Sequence, residues 1–129
     1  MFKIIIVSHG ELAPAFLKSA EMFTSKQDNI VTFCLFSEDS PDTLKEKIEK
    51  QLIEWKNEDI VLLSDIRSGT PFNVSASLMA TYEFRHISGI NLAMLVELIT
   101  SRDYLSGNEA CDNLMEHYTE SILDVNTLL

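Results

Sequence analysis

Two short stretches, FKIIIV (2–7) and DIVLLS (59–64), limit the possible folds more than any other feature of the chain. Each is a nearly unbroken apolar run. A strand with one wet face alternates apolar and polar residues, so runs without alternation belong to strands covered on both sides. NIVTFCLF (29–36) is rich in β-branched and aromatic residues and reads the same way, with RHISGIN (85–91) as a weaker fourth candidate. Strands covered on both faces need helices on both sides, and the intervening segments supply them.

In 40–56, Leu44, Ile48, Leu52 and Trp55 recur at helical spacing. Ser40 is a candidate N-cap, Pro41 fits the first helical position, and Asp42 suits the positive end of the helix. In 71–82 the expected cap is Thr70, again followed by proline. Segment 11–24 sets Leu12, Phe16, Ala20 and Phe23 on one side, with Pro14 in the first turn, where its missing N–H matters little. Segments 92–102 and 109–119 follow Asn91 and Asn108, both good caps. The tail ESILDVNTLL (120–129) suits a last short strand or a fraying helix. This βαβαβαβα order implies an α/β fold in three α-β-α layers, with a mainly parallel sheet and right-handed crossovers. A chain of 129 residues without linker, repeat or low-complexity stretch reads as one domain, 1–129.

Composition works by exclusion. No apolar run approaches the roughly 20 residues of a membrane-spanning helix, and the N-terminal stretch lacks the small-residue cleavage site of a signal peptide. The expected location is the cytoplasm. The formal net charge of −10 argues against nucleic acid as a partner. It permits a basic protein partner and is equally explained by solubility. Cys34 and Cys111 lie far apart in apolar surroundings and match no metal spacing, so they read as buried reduced thiols. Neither a metal nor a cofactor is expected.

Open parallel sheets collect chemistry beyond the carboxyl ends of their strands, where strand order reverses. That rule selects Ser8, His9 and Gly10 after the first strand, Ser37 and Glu38 after the second, SDIRSGTPFN (64–73) after the third, and Asn91 after the fourth. With the order 2-1-3-4, His9 and Asp65 stand side by side. A nucleophilic imidazole needs one nitrogen free and the other held as N–H, and a carboxylate that accepts this N–H fixes the tautomer. Gly69 lets the backbone approach closely. The helix after it points free N–H groups at the same space, a ready seat for phosphate, and the Thr70 hydroxyl either caps that helix or donates to a phosphoryl oxygen. Taken singly, a His-Gly pair at a strand end is as readily a turn, and an Asp before Gly-Thr-Pro is commonly structural. The two at corresponding strand ends favour a site. Arg67 lies in the same loop and suits a phosphoryl group, a partner's acid, or plain solvent. His86 and His117 read as structural or exposed.

IIIVSHGELA, DIRSGTPFN and GINLAMLVE, in that order and spacing, resemble the IIA domain of the mannose family of the bacterial phosphoenolpyruvate-dependent sugar phosphotransferase system. The resemblance runs from residue 2 to about 126. It implies a central, mainly parallel sheet flanked by helices, and a homodimer in which a C-terminal strand, here within Ser121–Asn126, extends the partner's sheet. The family's active histidine matches His9 and its histidine-orienting aspartate matches Asp65. Ser68, Gly69 and Thr70 match the phosphoryl-binding loop, with Ser68 standing where the family has a first glycine. Arg67 matches no shared role.

The resemblance further implies a phosphoryl relay. His9, through Nε2, accepts the group from the phosphocarrier protein HPr and donates it to a IIB component, which serves membrane IIC and IID components; the enzyme class is a phosphotransferase with a phosphohistidine intermediate. The chain ends at Leu129 without a fused IIB domain, which suggests a free-standing IIA subunit. A related branch donates phosphoryl groups to dihydroxyacetone kinase and commonly carries a serine after the histidine; Gly10 holds that place here and favours the sugar-transport branch. Histidine phosphatases use Arg-His-Gly, but Ser8 occupies the arginine's position. A non-catalytic regulatory module of the same fold is a further alternative, against which the presence of both His9 and Asp65 argues.

Overall fold

β1 (Lys3–His9) and β3 (Ile60–Ser64) form the middle of a four-stranded sheet, with β2 (Ile30–Leu35) beyond β1 and β4 (Arg85–Ser88) beyond β3. The computed structural model describes residues 1–129. All three pairings are parallel and the order is β2-β1-β3-β4, as the sequence predicts. The connecting helices are α1 (Leu12–Thr24), α2 (Pro41–Glu54), α3 (Thr70–Leu78) and α4 (Leu92–Ser101), followed by α5 (Gly107–Glu116).

Successive side chains of the central strands point to opposite faces, and each face has its own core. Ile4, Ile6, Val61 and Leu63 pack with Ala13 and Ala20 of α1, Leu95 and Leu98 of α4, and Leu114 of α5. Ile5, Val7 and Leu62 pack with Leu44, Ile48 and Leu52 of α2 and Val74 and Leu78 of α3. This two-sided burial is why the runs show no alternation. Edge strand β2 is only half-buried along its length. No helix is long and apolar enough to cross a membrane.

Local signals decide where the helices begin, and two starts and one helix face differ from the sequence expectation. Ser40 does cap α2, its hydroxyl accepting the Thr43 N–H at 3.1 Å, and Asn91 caps α4 by accepting the Met94 N–H at 3.0 Å. Thr70 does not cap α3. Gly69 holds the cap position with φ of 92°, Thr70 is already helical, and the turn is made by glycine's left-handed backbone instead of a side chain. Nor does Asn108 cap α5. Ser106 does, in a reciprocal box with Glu109 that satisfies two free N–H groups where asparagine would satisfy one. The inward face of α1 is also rotated by about one residue. Ala13 and Ala20 are buried, with Phe16 and Leu17 packed beside them, while Leu12 and Phe23 face outward. Two small alanines let α1 lie close to the sheet and to α4.

Beyond α5 the tail forms two single turns of 3-10 helix, Tyr118–Ser121 and Val125–Leu128, joined by an extended link. No strand forms within 121–126 in the single chain, because no neighbouring strand there offers it hydrogen bonds. Ile122, Leu123, Val125 and Leu128 are exposed.

Candidate functional site

His9 is the last residue of β1, and the parallel register pairs Val7 with Ser64. The next residues on each strand therefore run alongside one another, which brings Asp65 to His9. Asp65 Oδ2 accepts the His9 backbone N–H at 2.9 Å and the ring Nδ1–H at 2.8 Å, while Oδ1 accepts the Ile66 N–H at 3.0 Å. The carboxylate side chain is 6% exposed and the imidazole 45%. A carboxylate only accepts hydrogen bonds, so Nδ1 carries a proton, and in the neutral ring Nε2 is left with a free lone pair.

The Nε2 side of the ring is bounded by Gly69. A methyl group placed on Gly69 would lie 3.1 Å from both Nε2 and Cε1. Glycine is required here twice, by the backbone turn and by the approach of the ring. The turn out of β1 is held in turn by the Gly10 N–H, which donates to the Leu35 carbonyl at 2.8 Å. Behind it the Ser8 hydroxyl accepts the Ala13 N–H at 2.7 Å and supplies the cap that Glu11 does not give α1. Ser8 thus fixes the helix that starts behind His9, a role its sequence position did not signal.

The remaining candidates divide. Ser68 is exposed and Thr70 half-buried in the loop that borders His9, and no hydrogen bond within the chain engages either hydroxyl. Arg67 is exposed and joins no ion pair. Ser37 and Glu38 bond each other at 3.2 Å on the surface, and neither hydrogen-bonds to His9. Asn91 caps α4 and donates to the Ser121 hydroxyl at 2.8 Å, so it belongs to the base of the tail.

His86 lies under the loop's other side. Its Nε2 is 2.9 Å from the Ser64 hydroxyl, and its ring centroid is 5.4 Å from that of Phe72 in the first turn of α3. Burial pushes its pKa below the ordinary value, so the ring is a neutral buttress between the end of β3 and the start of α3. His117 pairs with Glu97 at 2.6 Å, away from His9. Cys111 is buried, with its thiol pushed up to about 11 by desolvation, and Cys34 is also raised, first by burial and then by Glu11 and Asp39; both are weak nucleophiles.

A cleft of about 850 Å³ opens at the opposite end of the sheet, between the segments that lead into β3 and β4, and is lined by Trp55, Tyr82, Phe84 and Arg85 among others. It is remote from the strand ends that carry His9. What the site offers chemically is an exposed imidazole with one free nitrogen, backed by a buried carboxylate and bordered by the N-terminus of α3. That is the equipment of a nucleophile toward an anionic electrophile.

Known proteins share this architecture. Residues 3–115 match the family described as "PTS system fructose IIA component". The fructose-specific EIIA component of Bacillus subtilis is 30% identical over 116 residues, 88% of this chain and 80% of that one. The mannose-specific EIIAB component of Escherichia coli K12 is 33% identical over 102 residues, 78% of this chain; the match spans 32% of that longer protein. Among solved structures, the phosphotransferase system component EIIA from Streptococcus agalactiae superposes with a TM-score of 0.90 at 32% identity, over 98% of this chain and 99% of that one. The mannose/sorbose-specific IIA subunit from Enterococcus faecalis does so with a TM-score of 0.85 at 27% identity, over 95% and 92%.

Proposed function

The chain belongs to the mannose-type IIA family, a phosphoryl-relay component of the sugar phosphotransferase system, and from that membership we propose that His9 is the phosphoryl acceptor. The observation that carries this reading is the double grip of Asp65 Oδ2 on the His9 backbone and on Nδ1, which leaves Nε2 of a partly exposed ring without a hydrogen-bond partner. In the reaction, Nε2 attacks the phosphorus of phosphorylated HPr in line with its P–N bond. A new P–N bond forms on His9, the old one breaks, and its electron pair returns to the HPr imidazole. Asp65 keeps the ring oriented and offsets the positive charge that develops on it. The free N–H groups at the start of α3 (Pro71 has none) and the unengaged Ser68 and Thr70 hydroxyls stabilise the equatorial oxygens. Positioning and electrostatics supply most of the acceleration in such transfers.

The second half-reaction repeats the first with His9 as donor and a IIB component as acceptor. The exposed ring, at the carboxyl end of a central strand, suits two partners that dock in turn. Membrane IIC and IID components then use the phosphoryl group in the cytoplasm-facing complex. The similar proteins carry the names of different sugars, fructose, mannose and sorbose, and a relay histidine has no need to touch the sugar. The exposed apolar side chains of the tail support a homodimer as the working form.

Incubation with phosphoenolpyruvate, enzyme I and HPr tests the reading. The chain takes up label on histidine and His9→Ala takes up none; a His9→Ala protein that still becomes labelled overturns it.

A further inference from the structure

Arg67 is the single cation in the loop between Asp65 and Gly69, and it is unpaired. The ion pairs of the molecule join His9 to Asp65, Arg85 to Asp112 and His117 to Glu97. An exposed guanidinium two residues from a carboxylate would ordinarily turn to it. Here the carboxylate is already spent: Oδ2 is taken by the backbone and ring of His9, Oδ1 by the Ile66 N–H, and the group is nearly buried. Arg67 therefore remains a spare positive charge at the site.

Its place in the loop keeps that charge near the His9 ring. Asp65 grips the Nδ1 side of the His9 ring and Gly69 lies against the Nε2 side. Arg67 is two residues from each, so its Cα is at most about 7.6 Å from both of theirs, a span its long side chain covers. The other groups of the loop and of the two neighbouring strand ends are neutral or acidic, and the one further cation near them, Lys47 of α2, faces Cys34 of β2. Ser68 and Thr70 supply hydroxyls only, while Glu11 follows the His9 turn and Glu38 and Asp39 follow β2. A phosphoryl dianion on Nε2 would enter mainly negative surroundings, and Arg67 is the one cation that the bordering loop itself supplies.

We infer that Arg67 is a phosphoryl-contacting residue, whose guanidinium binds the non-bridging oxygens of phosphorylated His9 and is idle until that group arrives. The inference rests on His9 being the acceptor, as proposed above. Arginine's planar fork matches a phosphoryl group with two parallel charge-assisted hydrogen bonds, which lysine supplies only as a point charge. The contact adds charge to a seat otherwise made of N–H groups and hydroxyls.

The test removes both protein partners. The chain is phosphorylated with phosphoramidate, a chemical phosphoryl donor, and the His9-dependent resonance, identified by its absence from His9→Ala, is titrated by phosphorus-31 NMR. A nearby cation favours the dianion, so Arg67→Gln raises the titration midpoint of the phosphoryl group by about 0.3 or more. Arg67→Lys recovers part of the change, and added salt narrows the difference between wild type and Arg67→Gln. Equal midpoints in wild type and Arg67→Gln overturn the inference, also when transfer from HPr is slowed, since that result assigns Arg67 to a docked protein. A wild-type chain with no His9-dependent resonance overturns the acceptor reading as well.

Discussion

His9 with Asp65 and His117 with Glu97 are the same two chemical groups at nearly the same separation, 2.8 and 2.6 Å. They differ in everything around the contact. In the first pair the carboxylate is buried and the imidazole exposed; in the second the two side chains are alike, 33% and 34% exposed. Asp65 stands at a strand end and is held by three N–H donors, whereas Glu97 projects from α4 toward the end of α5. The nitrogen engaged is Nδ1 in His9 and Nε2 in His117. Nε2 is thus left without a hydrogen-bond partner in one pair and engaged by the carboxylate in the other. A histidine–carboxylate contact alone does not mark a site; asymmetric burial and a free Nε2 do.

The largest expected effect separates the two pairs outright. In the phosphoenolpyruvate-driven assay His9→Ala loses all labelling, and His117→Ala keeps it within about twofold. Comparable loss in both variants would erase the distinction. Next comes Gly69→Ala, which forces an alanine into a left-handed backbone and sets its methyl group 3.1 Å from Nε2. Strain at such a position costs about 1–3 kcal/mol, and the displaced ring slows phosphoryl uptake about a hundredfold. The same substitution at Gly10, φ 55° with nothing within 4 Å of the added methyl, carries strain without the steric blow. Equal rates of uptake for the two alanine variants would show that proximity to Nε2 is irrelevant.

Asp65→Asn keeps the size of the side chain and removes its charge. Uptake falls about tenfold or more, as for loss of a ligand-orienting partner, while the circular dichroism of the folded protein is unchanged. The matched change Glu97→Gln leaves the uptake rate alone and lowers stability by about 1 kcal/mol or less, since the pair is partly exposed and screened. Thermal melts and initial rates on the two variants together decide whether the pairs serve different ends; a rate defect in Glu97→Gln would join them.

Much of this is legible in the sequence, for identifiable reasons. Ile4–Val7 and Val61–Leu63 bury both faces, so their apolar runs alone demanded a sheet clad on two sides. Sheet order then carried His9 to Asp65, because a parallel register aligns strand ends whatever the loops do. Helix starts were less legible. Thr70 and Asn108 have good capping side chains, yet Gly69 and the Ser106–Glu109 pair prevail through backbone conformation and reciprocal bonding that single-residue preference does not encode. The inward face of α1 depended on how close the helix could come to the sheet, a packing property in which Ala13 outweighs the more apolar Leu12. The tail's structure within one chain could not follow from SILDV, whose strand character needs a neighbour to bond.

His86 supplies the smallest and most discriminating effect, as the histidine without any carboxylate. Buried beside Ser64 and Phe72, its ring has a folded-state pKa below the ordinary 6.5, because desolvation penalises the charged form. The unfolded chain takes up that proton as pH falls past about 6.5, and the folded chain resists until lower pH. In that window the unfolded state binds more protons, so stability rises with pH and is lost on acidification. His86→Gln retains a hydrogen-bonding partner for Ser64 but does not titrate. Its melting temperature therefore falls less than that of wild type between pH 6.5 and the pH at which folded His86 protonates. The difference is confined to that interval, with His9 labelling preserved at neutral pH. An identical acid-side slope in the two proteins would place the titrating group elsewhere and leave His86 as packing alone. A lost slope together with intact labelling would leave the molecule with three histidines in three settings, of which only the one with a buried acid behind it and an open Nε2 in front does chemistry.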